Sequence, residues 1–467
     1  MNKLKTLEAK SEIVKSKSSK IRLFLDSILD PKSFVEMDVF MSGNSFIDGS
    51  EAVGEGVVTG YASINDESVY LFAENQEVLK GSFGKAHADK IIKSINLAVR
   101  NSTPIIAIID SNGARVGEGV AVLEAYSSMI NAITIAKREI PVISIIKGNC
   151  VGLMSAVPAL SDFVFVSDEA VISLGSPSVV AAKAKSNGKL NEILGAKELS
   201  ATSNLINFRY KDVKSLRESI VKIINICNDR ELSVNDDPNR VAPLLNTEIT
   251  VKGLIDAVCD KDSFISYSAD FAKDLVCGFG TVNGIFVGLL ITDSKVNSSL
   301  SCNAIKKMGN FVELLDKYSL PMITLVDSDG VDSTLSLEQS GIARDFANVM
   351  MAISESTMPK IAIIYGKAVG ASYSLLASKS IGFDYVLALT TAEITPIDAA
   401  VAVNIVYSED LKSAKDPVIA REALMKKYSD IAGDPFIAAK DGYIDNIIEP
   451  SSIRPYIASA LLMLLGL

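Results

Sequence analysis

The residues of this chain whose spacing could do chemistry are glycines rather than acids, bases or nucleophiles. An apolar run, Ser144 to Ile146, breaks into Gly148-Asn149-Cys150-Val151-Gly152 and continues with small and apolar residues from Leu153. The pattern returns as Gly366-Lys367-Ala368-Val369-Gly370-Ala371-Ser372. A strand that turns on glycine into a helix exposes first-turn amides that have no partner inside the helix. Their positive end suits an anion, and glycine lets a ligand approach the backbone closely. Two such amides aimed at one point form an oxyanion hole, which stabilises an enolate without side-chain chemistry. Losing one such donor typically costs about 3 kcal/mol. For one turn alone, the plainer reading is a glycine that lets a helix pack on a strand. Its recurrence, with no other catalytic constellation in the chain, favours chemistry.

Other chemistries find little support. There is one histidine, His87, so a Cys/His zinc site is not expected and a Ser-His-Asp triad would rest on that residue alone. The five cysteines include no Cys-x-x-Cys pair, and their odd number fits a reducing cytoplasm. No phosphate-binding Gly-x-x-x-x-Gly-Lys-Ser/Thr occurs, and "GEGVVTG" (54–60) is a turn into a strand rather than a dinucleotide fingerprint. A formal net charge of -10 argues against a nucleic-acid partner. The lysine-rich first twenty residues lack the apolar core of a signal peptide, and no apolar stretch is long enough for a membrane span.

The elements that must position these turns repeat. "PIIAIIDSNG" (104–113) matches "PMITLVDSDG" (321–330), and "PVISIIKGNCVG" (141–152) matches "PKIAIIYGKAVG" (359–370). Between them lie helical stretches, and after them one further strand each, "DFVFVSDEAVI" (162–172) and "DYVLALTTAEI" (384–394). Gly152 and Gly370 keep the same offset as Pro141 and Pro359, so the chain reads as two copies of one domain. Fully apolar strands alternating with helices predict α/β domains with largely parallel sheets. The polar, proline-containing stretch 227–240 marks the boundary, giving domains 1–235 and 236–467.

Taken together, "KGSFGKAHADKI" (80–91), "DSNGARVGEG" (110–119), "GNCVGLMSAVPALSDFVF" (148–165) and "GKAVGASYSLLASK" (366–379) resemble the carboxyltransferase subunits of biotin-dependent acyl-CoA carboxylases and decarboxylases. The similarity runs in order from about residue 36 to 464. The resemblance implies two tandem crotonase-like domains, the N-terminal binding acyl-CoA and the C-terminal binding biotin, in a homo-oligomer (dimer or hexamer) with active sites between subunits. It implies transfer of a carboxyl group between carboxybiotin and the acyl α-carbon. The enolate oxygen would face the amides of Gly152 and Leu153, and the ureido oxygen those of Gly370, Ala371 and Ser372. Gly84, Lys90, Ser111, Asn112, Gly113, Ala114, Arg115 and Ser374 would contribute to substrate binding, with Lys85, Lys93, Lys90 and Arg115 as candidates for the CoA phosphates. His87 reads as structural or CoA-adjacent. With one histidine and no cysteine-rich zinc ribbon, no metal is expected. Biotin would arrive on a biotin carboxyl carrier protein, because "LMKKYSD" (424–430) reads as an ordinary helix rather than an attachment site. A biotin carboxylase or a membrane decarboxylase subunit would be the further partner, in the cytoplasm.

Three departures stand out. Asn112 and Leu153 replace glycines of the family's usual pattern, and "DSDGVDST" (327–334) lacks the family's proline and one glycine. Two other readings stay open: a biotin-free crotonase-like hydratase or hydrolase using Glu118 or Glu124, and a non-catalytic scaffold subunit. The acyl group and the direction of transfer are not fixed by these residues.

Overall fold

A computed structural model of the chain describes residues 3–42, 52–184, 190–228 and 236–467. It divides into two compact units, Met1–Asn228 and Asp229–Leu467. The expected boundary at 235 and part of the expected linker, residues 229–235, lie outside the described residues.

Unit 1 is built on one sheet of eight strands: β1 (Val35–Met37), β2 (Val57–Ile64), β3 (Glu67–Glu74), β4 (Ile105–Ser111), β5 (Val142–Val151), β6 (Phe163–Ser167), β7 (Val171–Ser173) and β8 (Phe208–Tyr210). Their order is β1-β2-β3-β4-β5-β6-β8, with β7 against the far end of β5. The first three strands are antiparallel neighbours, and from β3 onward the pairing is parallel. Every residue of β4 is buried, as its unbroken apolar run predicts for a strand covered on both faces. Two helices flank it in sequence, Lys85–Arg100 and Val120–Glu139. The first buries His87, Lys90, Ile91, Ser94, Ile95 and Ala98, a stripe at helical spacing.

Unit 2 repeats the plan with β9 (Ile265–Tyr267), β10 (Leu275–Val282), β11 (Ile285–Thr292), β12 (Met322–Ser328), β13 (Lys360–Val369), β14 (Tyr385–Leu389), β15 (Glu393–Thr395) and β16 (Asn446–Ile448). The order β9-β10-β11-β12-β13-β14-β16, with β15 on β13, is that of unit 1 strand for strand. The helix Cys302–Lys317 takes the place of Lys85–Arg100 at the same length, 16 residues.

One expectation is corrected. Each expected strand after the second turn is two strands: β6 and β7 are separated by Asp168-Glu169-Ala170, and β14 and β15 by Thr390-Thr391-Ala392. The split lets β5 pair first with β6 and then, past the turn, with β7. The small-residue helices are also short. After Gly152 comes a 3-10 turn and a helix of only Ala156–Leu160; after Gly370 the helix is Ala371–Leu376. Among the described residues, no helix is long and apolar enough to cross a membrane.

Candidate active site

Both pairs of turns are set by the same irregularity. Along β4 and β5 the pairing runs in step to Ile109–Ile146, then resumes at Ser111–Cys150, so Asp110 faces Lys147, Gly148 and Asn149 together. In unit 2 the step lies between Val326–Ile364 and Ser328–Ala368, and Asp327 faces Tyr365, Gly366 and Lys367. The Asp110 carboxylate fills the gap, accepting the Asn149 N–H (3.1 Å), the Gln76 side-chain N–H (2.6 Å) and the Lys147 ammonium (3.3 Å). Asp327 accepts the Lys367 N–H (2.8 Å) and the Ser294 hydroxyl (2.5 Å). A Cβ on Gly148 or on Gly366 would run into that carboxylate. These glycines therefore serve the aspartates rather than a ligand. The two aspartates were missed as functional residues on sequence alone, although their repetition in Asp-Ser-x-Gly was visible.

Past the bulge, Gly152 and Gly370 both take positive φ, +73° and +54°, which turns each strand into its short helix. Their surroundings differ. A Cβ at Gly152 would meet nothing within 4 Å, whereas one at Gly370 would lie 2.9 Å from the Pro396 carbonyl oxygen. The Gly370 N–H donates to Thr395 O (2.9 Å). The buried Ser372 hydroxyl donates to Val369 O (2.9 Å) and Ser328 O (3.2 Å) and accepts the Val369 N–H (3.1 Å), tying the turn to β12. Ser374 leans back on Gly370 O. Leu153 is exposed, while its counterpart after Gly370 is the small Ala371.

The residues expected around the acyl-CoA are placed as follows. Ser111 is fully buried, donating to Gly81 O (2.6 Å) and accepting the Gly113 N–H (3.3 Å). Gly113 and Arg115 are zipped to Phe83 through Phe83 N–H to Gly113 O and Arg115 N–H to Phe83 O, with exposed Ala114 between them. Leu300 makes the same two bonds to Gly330 and Asp332 in unit 2, so "DSDGVDST" keeps the first unit's loop geometry without the family's proline. Asn112 is exposed, and its side-chain oxygen accepts the Asn149 amide (2.6 Å), joining the two turns of unit 1. The corresponding link in unit 2 is the ion pair Lys367–Asp329 (2.9 Å).

The cationic side chains expected at the CoA phosphates divide. Lys85 and Lys93 are exposed, the latter paired with Asp38 (2.8 Å). The Lys90 ammonium is buried and donates to Val57 O (2.7 Å) and Gly54 O (3.0 Å); burial lowers its pKa to about 8. The buried Arg115 guanidinium donates to the Glu55 carboxylate (2.5 Å), Glu55 O (2.7 Å) and Ser82 O (2.9 Å). It lies against Gly84, where a Cβ would collide with it and with Glu118. Glu118 itself accepts the Lys85 N–H (2.7 Å), so this carboxylate caps the Lys85–Arg100 helix. Glu124 sits on the exposed side of its helix. Neither carboxylate of the hydratase reading is thus presented as a pocket acid, Glu118 being held by a helix end and by Arg115 (3.5 Å).

His87 is fully buried, its Nδ1 2.7 Å from Glu55 O. Burial, then the Arg115 charge, lowers its pKa to about 3, so it stays neutral. Burial likewise raises the thiols of Cys150, Cys259 and Cys277, the last two to about 12, which keeps thiolate nucleophiles away from both units' cores. Among the described residues, no group of three or more His, Cys, Asp or Glu is arranged to hold a metal ion.

Comparison with known proteins points one way. A family model described as a carboxyl transferase domain matches residues 18–465. The chain is 32% identical over 458 residues to a methylmalonyl-CoA decarboxylase subunit alpha of Propionigenium modestum, covering 94% of this chain and 89% of that protein. It is 32% identical to the carboxyltransferase subunit of a propionyl-CoA carboxylase from Haloferax mediterranei, over the same shares of each. A crystal structure of transcarboxylase 12S, a hexameric multienzyme core with methylmalonyl-CoA and methylmalonic acid bound, superposes with a TM-score of 0.91 at 29% identity, covering 99% of this chain and 95% of that one.

Proposed function

The chain belongs to the carboxyl transferase family, and from that premise we propose how its two units divide the work of an acyl-CoA carboxyltransferase. The reaction moves a carboxyl group between carboxybiotin and the α-carbon of an acyl-CoA. Unit 1 takes the acyl-CoA and unit 2 takes biotin delivered by a carrier protein. The observation that carries this reading is the duplicated bulge: the same Asp–Gly pair, followed by the same positive-φ glycine, ends β5 and β13.

In unit 1 the amides of Gly152 and Leu153 hold the enolate oxygen of the thioester, and Asp110 fixes the turn that presents them by accepting the Asn149 N–H. Gly152 has open space beside it for the substrate, and the exposed Leu153 side chain narrows the acyl site. In unit 2 we assign the amide of Ala371 as the donor toward the biotin ureido oxygen. Gly370 already donates to Thr395, and Ser372 stitches the turn, so these two shape the site around that donor. The methyl of Ala371 leaves room for a planar ring system at this helix start. Biotin, when bound, supplies the transferred carboxyl group and a nitrogen that takes the α-proton, which is why neither unit needs a general base beside its turn. Removing one of the amide donors is expected to cost about 3 kcal/mol of transition-state stabilisation.

Lys85 and Lys93, two exposed cations of the Lys85–Arg100 helix, are assigned to the CoA phosphates. The chain works as a homo-oligomer, a hexamer like the transcarboxylase 12S core, with a biotin carboxyl carrier protein and either a biotin carboxylase or a membrane decarboxylase subunit as partners. The test uses the purified chain with malonyl-CoA, methylmalonyl-CoA or glutaconyl-CoA, with and without free biotin, following CO2 release. Biotin-dependent release is the expected result. CoA binding with no release in any combination would overturn the reading.

A further inference from the structure

Beneath the bulge of unit 1 lie three buried polar atoms without a partner: Glu74 Oε1, His87 Nε2 and Tyr126 Oη. Their residues are 1%, 0% and 1% exposed. They come from three elements, β3 and the helices Lys85–Arg100 and Val120–Glu139. Glu74 Oε1 is 3.6 Å from His87 Nε2, too far for a direct hydrogen bond. The Tyr126 ring stacks on Phe83 at 3.9 Å between centroids, and Phe83 also lies against His87, at 5.2 Å. Burial and the facing Glu74 and Cys150 raise the Tyr126 phenol.

The neighbours fix the tautomer of His87 and the direction in which the Glu74 carboxyl is shifted. His87 is neutral, and its Nδ1 must carry the proton to donate to Glu55 O, so Nε2 is an acceptor. Glu74 Oε2 accepts the Asp110 N–H (3.0 Å). Burial pushes the Glu74 pKa well above its ordinary value, the Asp110 N–H opposing it and the Asp110 charge adding to it. With Oε2 taken by that N–H, Oε1 is the oxygen turned toward His87. Among the described residues, unit 2 has no matching cluster. The Asp327 N–H is accepted there by the Thr292 hydroxyl (2.7 Å), and the position matching His87 on the helix is the buried Ala304.

We propose that Glu74 Oε1, His87 Nε2 and Tyr126 Oη enclose one buried water molecule, with Glu74 as a protonated donor to it. Glu74 and Tyr126 donate to the water oxygen, and the water donates to His87 Nε2, which satisfies all three atoms. The water backs the carboxyl group that accepts the Asp110 N–H, so Glu74 is a positioning residue for the bulge of unit 1. In unit 2 the Thr292 hydroxyl accepts the matching N–H.

Two measurements on the whole protein decide it. A crystal structure showing ordered solvent should place a water about 2.6–3.2 Å from all three atoms. No such peak, with Glu74 and His87 in direct contact, would overturn the proposal. The second is thermal unfolding of wild type and Glu74→Gln across pH. A carboxyl held protonated in the fold but free to ionise when unfolded costs stability as pH rises above its unfolded pKa, 4.5, towards its folded value. The groups facing Glu74 are Asp110, His87, Tyr126 and Cys150, with Arg115 and Lys90 beyond His87; all are unchanged in the variant. The advantage of Glu74→Gln over wild type should therefore grow with pH in that range. A pH-independent difference would mean that Glu74 is ionised in the fold, and would overturn the protonated donor.

Discussion

In unit 1 the amide of Asp110 is accepted by a buried acid, Glu74; in unit 2 the amide of Asp327 is accepted by the hydroxyl of Thr292. Around that bond the units share some parts and not others. Both bury a lysine on the first flanking helix, Lys90 or Lys307, whose ammonium donates to carbonyls leading into the second strand of its sheet: Gly54 and Val57 in one, Phe271 and Leu275 in the other. Both keep the bulge, its glycine and the turn glycine. Among the described residues, the Glu55–Arg115 pair and the buried Glu74, His87 and Tyr126 belong to unit 1 alone. Only unit 2 links its two turns by an ion pair rather than by two amides. What is duplicated presents one turn in each unit, and what is not duplicated distinguishes the surroundings of the two turns.

This division can be broken at several points. Arg115→Met should have the largest effect, because it leaves the Glu55 carboxylate buried, 1% exposed, without its guanidinium. The expected loss is about 3–5 kcal/mol, read by denaturant unfolding. Unchanged stability with a raised KM for acyl-CoA would instead make Arg115 a phosphate ligand. Next come Gly148→Ala and Gly366→Ala, each of which drives a methyl group into its aspartate. Each should cost about 1–3 kcal/mol and the two should match, since the bulge is common to both units. A loss confined to one variant would show that the bulges are not equivalent.

Lys90→Met and Lys307→Met should also form a matched pair. Each strips a charged donor from two buried carbonyls, at about 1–3 kcal/mol, with little change in KM for acyl-CoA in either. A KM effect at Lys90 alone would return that lysine to the CoA site. The smallest contrast is at the turn glycines. Gly152→Ala meets only the backbone cost of a left-handed residue, about 1–2 kcal/mol. Gly370→Ala adds a close approach to Pro396 O and should be the less stable of the two in thermal melts. Equal melting temperatures would remove the distinction between an open and a closed turn.

Much of the fold was legible in the sequence because the duplication leaves two copies of every signal. The glycine turns, the buried β4 and β12 runs and the α/β class all follow from residue type and spacing. The site was less legible, for physical reasons. A basic residue defaults to the surface in a sequence reading, so Lys90 and Arg115 were expected to face phosphates. Burial became visible only once the carbonyls and carboxylate they serve were in place. Asp110 and Asp327 act through register, a property of paired strands that one strand's sequence does not contain. Glu74, His87 and Tyr126 lie far apart in the chain and meet only through packing. The strand break before β7 and β15 is a three-residue turn inside an otherwise strand-like run, and the helices after the turn glycines are too short to show a periodicity.

The central claim is that the two turns serve different ligands, and it is tested most directly by steady-state kinetics on two variants. With acyl-CoA and free biotin varied in turn, Leu153→Gly should change the preference among acyl groups and leave the KM for biotin as it was. Ala371→Leu should raise the KM for biotin by about tenfold, the equivalent of about 1.4 kcal/mol, and leave acyl preference unchanged. If both variants move the same ligand, or if Ala371→Leu alters acyl preference, the assignment of one turn to each ligand is wrong.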